Sequence, residues 1–277
     1  MKKNLFPALA CCSLLAAMQT QAQVITDWTF ENLAVGQNLS PAPATGSGTA
    51  AAIGMDNTYG TPGPSQNISD VLASALISST GTGNEWRIRG GKIGTGLAAN
   101  GWSSLAPIGT QGAEFTASTV GFTGIQVSFD VEMTGQAEAN LEVLYSTDGI
   151  TWNNAVISSV ATAGATIKNN TTSANTVMGS YISLLPSAFN NSITVDLSGI
   201  SAANNDANFG IQLVNASTGV DDTNAAGTPY NNSSGNWRFD NVQISGVAAA
   251  PEPSTLALAG LGLTALFGFR GLRNRKA

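Results

Sequence analysis

The chain has 277 residues, with 11 basic and 17 acidic side chains, no histidine and two cysteines, both near the N-terminus. Without histidine, Ser–His–Asp catalysis, Cys–His catalysis and histidine-ligated metal sites are excluded. Charged residues make up 10% of the chain, against about 25% in an average soluble domain, so uncharged polar residues and glycine must cover most of the surface.

Residues 1–22 are typical of a secretory signal peptide. Two lysines follow the initiator methionine, a mostly apolar stretch comes next, and the Thr-Gln-Ala sequence that ends at Ala22 has the small residues that a signal peptidase requires. We expect a signal helix here and cleavage before Gln23, which would leave a mature chain without cysteine. Two alternatives stay open: an N-terminal membrane anchor, and a lipoprotein modified at Cys11 or Cys12.

Residues 23–245 are predicted to form one domain, in which apolar residues mostly alternate with polar ones. Strand candidates follow one another at Val24–Phe30, Glu85–Arg89, Ala113–Thr119, Ile125–Met133, Leu141–Tyr145, Ala155–Val160, Tyr181–Leu185, Ser192–Leu197, Asn208–Asn215 and Trp237–Ser245. The alternation is clearest over Ile125–Met133, which predicts a half-buried strand. The only helical pattern lies at Ser69–Ile77.

Many short strands with almost no helix predict an all-β fold. We expect an antiparallel, jelly-roll-like β-sandwich of about ten strands in a single domain. The segments 39–68, 161–179 and 218–235 are predicted to be long polar loops, and such loops often carry binding sites. Residues 246–250 are predicted to be a short linker to the C-terminal segment.

Residues 251–277 have three parts in a fixed order. The sequence Pro251-Glu252-Pro253 comes first, an apolar run over residues 254–269 follows, and the chain ends with four basic residues, which are Arg270, Arg273, Arg275 and Lys276. The run predicts a transmembrane helix of about 24 Å, slightly shorter than the roughly 30 Å hydrocarbon core of a bilayer. Its basic end is expected on the cytoplasmic side. A buried C-terminal helix is the alternative.

These three parts resemble the PEP-CTERM protein-sorting signal of Gram-negative bacteria. The resemblance implies that an exosortase-like membrane enzyme recognises the tail and that the precursor, anchored in the membrane, is cleaved near Pro-Glu-Pro. It also implies export across the inner membrane and delivery to the cell surface or to an exopolysaccharide matrix. The resemblance covers only the tail, so it says nothing about residues 23–250.

The two ends of the domain carry the first candidate site. Asp27 and Glu31 lie in or near the first predicted strand, and Asp240 and Asn241 lie in the last, which jelly rolls commonly bring beside the first. The last segment resembles the final strand of carbohydrate-binding jelly-roll modules, and this resemblance implies a structural calcium ion held by these four residues. Calcium binds about six to eight oxygen atoms. The alternatives are an ion pair of Asp240 with Arg238 or Arg89, or a turn that Asp240 caps.

Tryptophan rings stack on the apolar faces of sugars, which makes the five tryptophans a second group of candidates. Trp86 and Trp237 lie within strand patterns and are expected in the core. Trp102 lies in a Gly-Trp-Ser loop sequence and is the predicted platform for a glycan. The Ser146–Trp152 segment resembles the sialidase Asp-box, but it is one residue short and occurs once, so a plain hairpin is predicted.

Residues 23–250 carry five basic and 16 acidic side chains, a net charge of −11, which argues against nucleic acid as a partner. Glycoside hydrolysis needs two carboxylates about 5–10 Å apart. Glu132, Glu138 and Glu142 are candidates, but their strand positions are expected to face solvent. We therefore predict an exported, non-catalytic protein whose sandwich serves adhesion, glycan binding or scaffolding. A secreted polysaccharide hydrolase is the alternative.

Overall fold

The computed structural model describes residues 21–55, 67–90, 102–103, 106–169, 180–216, 231–232 and 235–249. Within these ranges the chain forms 17 strands and one short 3-10 helix, Ser201–Ala203. The strands are β1 (Ala22–Trp28), β2 (Gly36–Gln37), β3 (Thr49–Ile53), β4 (Asn67–Ala73), β5 (Asn84–Gly90), β6 (Trp102–Ser103), β7 (Gly112–Thr116), β8 (Phe122–Met133), β9 (Asn140–Ser146), β10 (Asn153–Ala155), β11 (Ile157–Ser159), β12 (Thr166–Asn169), β13 (Ser180–Ser183), β14 (Phe189–Asp196), β15 (Gly210–Asn215), β16 (Asn231–Asn232) and β17 (Trp237–Ala248).

Three predicted segments lie wholly or mostly outside the described residues: residues 1–20 of the signal peptide, the loop 218–235 except for residues 231–232 and 235, and the tail 251–277 with its predicted transmembrane helix over 254–269. Among the residues that are described, no helix is long and apolar enough to cross a membrane. The predicted cleavage point before Gln23 falls within β1.

Two antiparallel sheets pack face to face and form a β-sandwich, as the sequence predicts. Sheet A has eight strands in the order β11-β14-β8-β17-β5-β4-β2, with β1 also paired to β17. Sheet B has seven strands in the order β12-β13-β9-β15-β7-β3, with β10 also paired to β9. A separate two-stranded ribbon joins β6 and β16.

The first and last strands are neighbours, as predicted, because β1 pairs with the second half of β17. Ala22 lies opposite Val247, so both ends of the domain leave sheet A at the same end. β17 also pairs there with the start of β8, where Ala248 lies opposite Phe122. The amide of Ala249 donates a hydrogen bond of 2.8 Å to the carbonyl of Gly121. The predicted linker 246–250 is therefore partly wrong, since its first three residues belong to β17.

Aromatic rings fill the space between the two sheets. Phe115 of β7, on sheet B, contacts three rings of sheet A, with centroid distances of 5.2 Å to Trp28, 5.8 Å to Trp86 and 5.9 Å to Phe239. All three contacts are edge-to-face, the arrangement in which an aromatic pair adds about 0.5–1.5 kcal/mol beyond the burial of its surface. The core is thus continuous across the sandwich.

The predicted helix at Ser69–Ile77 is wrong, because residues 67–73 form strand β4. β4 pairs with β5 residue by residue, and Asp70 lies opposite Arg87. Val71 and Ser69 are both fully buried, while Asp70 faces outward and binds Arg87. Ser69 is a polar residue that faces the core, so apolar and polar residues do not alternate clearly along β4. The predicted loops 39–68 and 161–179 also contain short strands, β3 and β12.

The carboxylate of Asp130, in the middle of β8, connects three elements. Asp130 is 1% exposed. β8 is predicted to be half-buried, and at this position it is fully buried instead. Its Oδ2 accepts hydrogen bonds from the amide and hydroxyl of Ser79 and from the Asn241 side chain, and its Oδ1 accepts one from the amide of Ser192. Ser192 and Asn241 lie in β-bulges of β14 and β17, the two neighbours of β8, and both have a φ of 51°.

We expect Asp130→Asn to lower the free energy of unfolding by about 3 kcal/mol, because its amide group leaves at least one buried donor without an acceptor. The measurement is urea unfolding of the two proteins. The matched control is Gln126→Ala, an exposed position on the same face of β8, which should change stability by no more than about 0.5 kcal/mol. An Asp130→Asn protein that unfolds at the same urea concentration as the parent would contradict the role given to this carboxylate.

Candidate functional site

The predicted calcium ligands lie at the junction of β1 and β17, but their side chains do not converge. Asp27 and Asn241 line a cavity of about 220 Å³ on the outer face of sheet A. Glu31 instead accepts a hydrogen bond of 3.2 Å from the amide of Asn84. Asp240 is 3% exposed and does not line that cavity; its Oδ1 accepts the amide of Asn241 at 2.8 Å.

The residues present do not fit a calcium ion. In the described part of the chain, no three acidic side chains are grouped so that they could hold a metal ion. Asp130 also lines the cavity, but its two oxygens already accept four hydrogen bonds. Asp27 contributes one buried oxygen that has no hydrogen-bond partner. Among the described residues, Asp27, Glu31, Asp240 and Asn241 therefore do not form one group of ligands, and calcium binding stays a prediction.

Charged side chains on the outer face of sheet A form a partly buried cross-strand row. Arg238 of β17 contacts Glu85 of β5 and Glu132 of β8, each at 3.0 Å. Arg87 of β5 donates through Nε to Asp70 of β4 at 2.8 Å. Burial raises the pKa of both Glu85 and Glu132, and the positive charge of Arg238 opposes that rise. This row ties four strands together and leaves Arg238 engaged with two glutamates.

Asp240 lies directly opposite Asp130 across the β8–β17 pair. Burial raises the pKa of Asp240 to about 7, and the charges of Asp130 and Glu31 act in the same direction, while hydrogen bonds from Ser78 and from the amide of Asn241 oppose the rise. No ion pair joins Asp240 to an arginine among the described residues, so the ion-pair alternative is wrong. Asp240 instead accepts the backbone amide of Asn241 at the bulge of β17. Asp240 is a buried carboxyl that is partly neutral near pH 7.

The three glutamates considered for hydrolysis are buried rather than exposed, which corrects the prediction. Glu132 is 4% exposed, Glu138 is 0% exposed and Glu142 is 2% exposed. Glu132 lies on the outer face of sheet A, whereas Glu142 belongs to β9 of sheet B and accepts a hydrogen bond of 2.6 Å from Asn154. Burial raises the pKa of Glu142 to about 7. Glu132 and Glu142 lie on different sheets and cannot act on one bond.

Trp102 is fully buried, so the predicted glycan platform is wrong. Its ring packs on Trp237, with 4.4 Å between the ring centroids. Trp28 and Trp86 are also fully buried. Trp152 is the one tryptophan of the five that is partly exposed.

A rigid turn holds Trp152 in place. The Oδ1 atom of Asp148 accepts the amides of Ile150 at 2.8 Å and Thr151 at 2.6 Å, and the Ser146 hydroxyl accepts the amide of Gly149 at 2.9 Å. The backbone amides of Thr151 and Ile150 hold the pKa of the Asp148 carboxyl well below its usual range. The Ser146–Trp152 segment is a structural turn, as predicted, and it fixes the position of the tryptophan that follows.

A groove of about 340 Å³ lies beside this turn, where β7 ends and β3 and β15 begin. We name it the end groove. Its lining contains the polar residues Ser47, Thr116, Ser118 and Asn208, and its apolar part is formed by residues that include Ala117, Ala207 and Phe209. Trp152 is not part of this lining but lies near it, since a Cβ atom placed on Gly210 would lie 3.1 Å from Cη2 of Trp152 and 3.5 Å from Cγ2 of the lining residue Thr116.

The sequence contained a signal for Trp152. Trp152 follows an Asp-Gly turn and lies outside any alternating run, whereas only the flanking glycine and serine favour exposure of Trp102. A turn that is closed by its own side chains is a better indicator of exposure than small neighbouring residues, because the chain must be at the surface to reverse its direction there.

The family model for the PEP-CTERM protein-sorting motif matches residues 249–276. The tail is a PEP-CTERM sorting motif. This motif implies that the chain is exported, that an exosortase processing enzyme recognises it, and that processing at the membrane directs it toward the cell surface. No curated protein matches the chain.

Similarity to solved structures is distant. The CBM22-1–GH10 modules of endo-1,4-β-D-xylanase 10B from Clostridium thermocellum, in complex with xylohexaose, are 13% identical with a TM-score of 0.34, over 73% of this chain and 29% of that chain. The K2 cleaved adhesin domain of Lys-gingipain is 12% identical with a TM-score of 0.30, over 70% and 97%. SGBP-B from a xyloglucan utilization locus in Bacteroides uniformis is 10% identical with a TM-score of 0.27, over 80% and 50%.

We expect Asp240→Asn to flatten the pH dependence of stability. The pKa of Asp240 is raised from 3.8 to about 7 on folding, so the folded state holds a proton that the unfolded state has lost. Stability from this group is complete below about pH 4 and falls by up to about 1.4 kcal/mol per pH unit as the pH rises toward 7. Urea unfolding between pH 4 and 8 measures the slope.

The matched variant is Glu142→Gln, which removes another buried carboxyl whose pKa is raised to about 7, on the other sheet. In each single variant, the free energy of unfolding should change less with pH than it does in the parent. The double variant should show the sum of the two reductions, because the two groups lie on different sheets. An Asp240→Asn protein with the parental slope would show that Asp240 is ionised throughout.

Proposed function

We propose that the chain is an exported protein, sorted to the cell surface or the extracellular matrix, whose β-sandwich is not an enzyme and serves adhesion, glycan binding or scaffolding. The sorting motif at residues 249–276 is the observation that carries this proposal. A sorting tail of this kind is a substrate of the export machinery and determines where the protein is delivered. The sandwich is therefore the part that acts at the surface. The proposed partners are an exosortase-like enzyme and exopolysaccharide.

The state of the carboxylates supports binding over catalysis. Most glycoside hydrolases use a pair of carboxylates on one substrate. Glu85 and Glu132 are held by Arg238, and Asp130 accepts four hydrogen bonds. Glu142 lies on the other sheet, where its carboxylate accepts a hydrogen bond from the side chain of Asn154. These acids have structural partners, which favours a non-catalytic role for the sandwich.

We further propose how the precursor is anchored and cleaved at the membrane. The precursor is anchored by the apolar run 254–269, with its basic end in the cytoplasm, until the exosortase-like enzyme cleaves it near Pro251–Pro253. The sandwich itself is proposed to be of the jelly-roll type, a proposal supported by the pairing of its first and last strands.

We expect the tail to determine surface delivery. Deletion of residues 251–277 should give a soluble protein in the medium, and Asn at all four basic positions of the tail should leave an unprocessed or mislocalised precursor, because the basic end fixes the orientation of the helix. Immunoblots of membrane, surface and medium fractions measure both effects.

The matched control replaces Arg270, Arg273 and Arg275 with lysine, which keeps the positive charge and should keep the orientation of the helix. Normal surface delivery of the deletion variant would show that the tail does not determine where the protein is delivered.

We also expect the purified protein to cleave no common ester, peptide or glycoside substrate. Nucleophile–base pairs built on histidine or cysteine are excluded after removal of the signal peptide, and the buried glutamates already have partners. Reducing-end assays on polysaccharides and chromogenic assays on esters and peptides test this. The hydrolase alternative gains support if the protein cleaves a polysaccharide and a change such as Glu142→Gln abolishes cleavage without lowering the melting temperature.

A further inference from the structure

We infer that the end groove binds a sugar unit of a neutral polysaccharide and that Trp152 forms the platform on which the sugar ring stacks. The inference rests on the proposed function, since it gives a location and a ligand class to the glycan-binding role. Each of its parts depends on described residues: the ring of Trp152, the polar lining, the local charge and the volume.

Trp152 is the candidate platform because it is a partly exposed tryptophan near the lining residue Thr116. Cη2 of its ring packs on the backbone of Gly210, where any side chain would press against it, and the Asp148 turn fixes its main chain on the other side. Neighbouring residues therefore hold Trp152, which is half-buried and keeps part of its surface in solvent. A fixed aromatic ring loses little conformational freedom when a ligand binds to it.

The polar groups of the end groove suit hydroxyl-rich ligands. Ser47, Ser118 and Asn208 are all exposed, and together they present two hydroxyls and a carboxamide beside the tryptophan. Hydroxyl and amide side chains both donate and accept hydrogen bonds, as sugar hydroxyls do. Buried apolar atoms of Ala117 and Phe209 complete the lining.

The charges select a neutral glycan over an anionic one. No charged side chain lines the end groove. Asp148 and Asp206 flank it, next to the lining residues Gly149 and Ala207, and Asp206 accepts the amide of Asn208 at 2.9 Å. Two acids near the rim of a domain that already carries an excess of negative charge would repel uronic acids, sulfates and phosphates.

The size of the end groove fits a small part of a polymer. Its volume of about 340 Å³ lies at the lower end of the roughly 300–1,000 Å³ range of small-molecule sites. It is open at the end of the sandwich, so a polysaccharide could enter with one unit in contact and the remaining chain in solvent.

The test is affinity electrophoresis of the full chain, purified in detergent, in gels that contain xylan, xyloglucan, dextran or alginate. We expect at least one of the three neutral polysaccharides to retard the protein and alginate to have no effect. Trp152→Ala should weaken that retardation at least tenfold in apparent Kd, which corresponds to about 1.4 kcal/mol. Trp152→Phe keeps an aromatic face and should retain most of the binding.

A second variant and a control separate binding from folding. Ala207→Arg places a large side chain at an exposed lining position without touching Trp152, and it should also abolish retardation. Ile150→Ala removes a side chain that is 82% exposed in the same turn, and it should bind as the parent does. Melting temperatures of all variants, measured alongside, identify any that fail to fold.

The outcomes distinguish this inference from the proposed function. Neutral binding that survives both Trp152→Ala and Ala207→Arg overturns the end groove as the site and leaves glycan binding in place. The absence of retardation by every neutral polysaccharide overturns the ligand class, and so does equal or stronger binding of alginate. Surface delivery is measured by the tail variants alone, so its failure affects the proposed function and not the groove.

Discussion

The carboxylate of Asp130 lies in the central strand of sheet A with 1% of its surface exposed, and a buried carboxylate must be surrounded by donors. β14 supplies the backbone amide of Ser192, which its bulge frees from the ladder, and β17 supplies the side-chain amide of Asn241 at its own bulge. The bulges at Ser192 and Asn241 and the Ser79 connection between β4 and β5 all converge on this group. Through them, one side chain fixes the register of β8 against both of its neighbours.

The sequence predicts strands well where inward positions are apolar. β8, β9 and β17 were predicted for this reason, and the pairing of β1 with β17 followed from the expected fold. β4 was missed because Ser69 faces the core, so the period of two has a polar residue where an apolar one is expected. Short strands such as β3 were missed because a run of alanines gives the two faces of the strand nearly the same hydrophobicity.

The site was harder to predict than the fold, and the sequence distance between partners explains the difference. The sorting tail is read from contiguous residues, so its sequence is sufficient to recognise it. The partners of Asp130 lie 51, 62 and 111 residues away in the chain, and no local pattern reports them. Two of the acids considered for calcium or catalysis also have distant partners, Glu31 with Asn84 and Glu132 with Arg238. Trp102 likewise became a core residue because Trp237 packs on its ring.

The positions of the end groove and of the chain terminus have a mechanical consequence. Ser118, in the groove, lies three residues before Gly121, whose carbonyl binds the amide of Ala249 just before the tail. A polymer held at the groove and an anchor at the tail would therefore pull on the same end of the sandwich. Tension between them would pass through the short 117–121 connection and the last pairs of β17, while the aromatic core and the Asp130 bulges would bear no load.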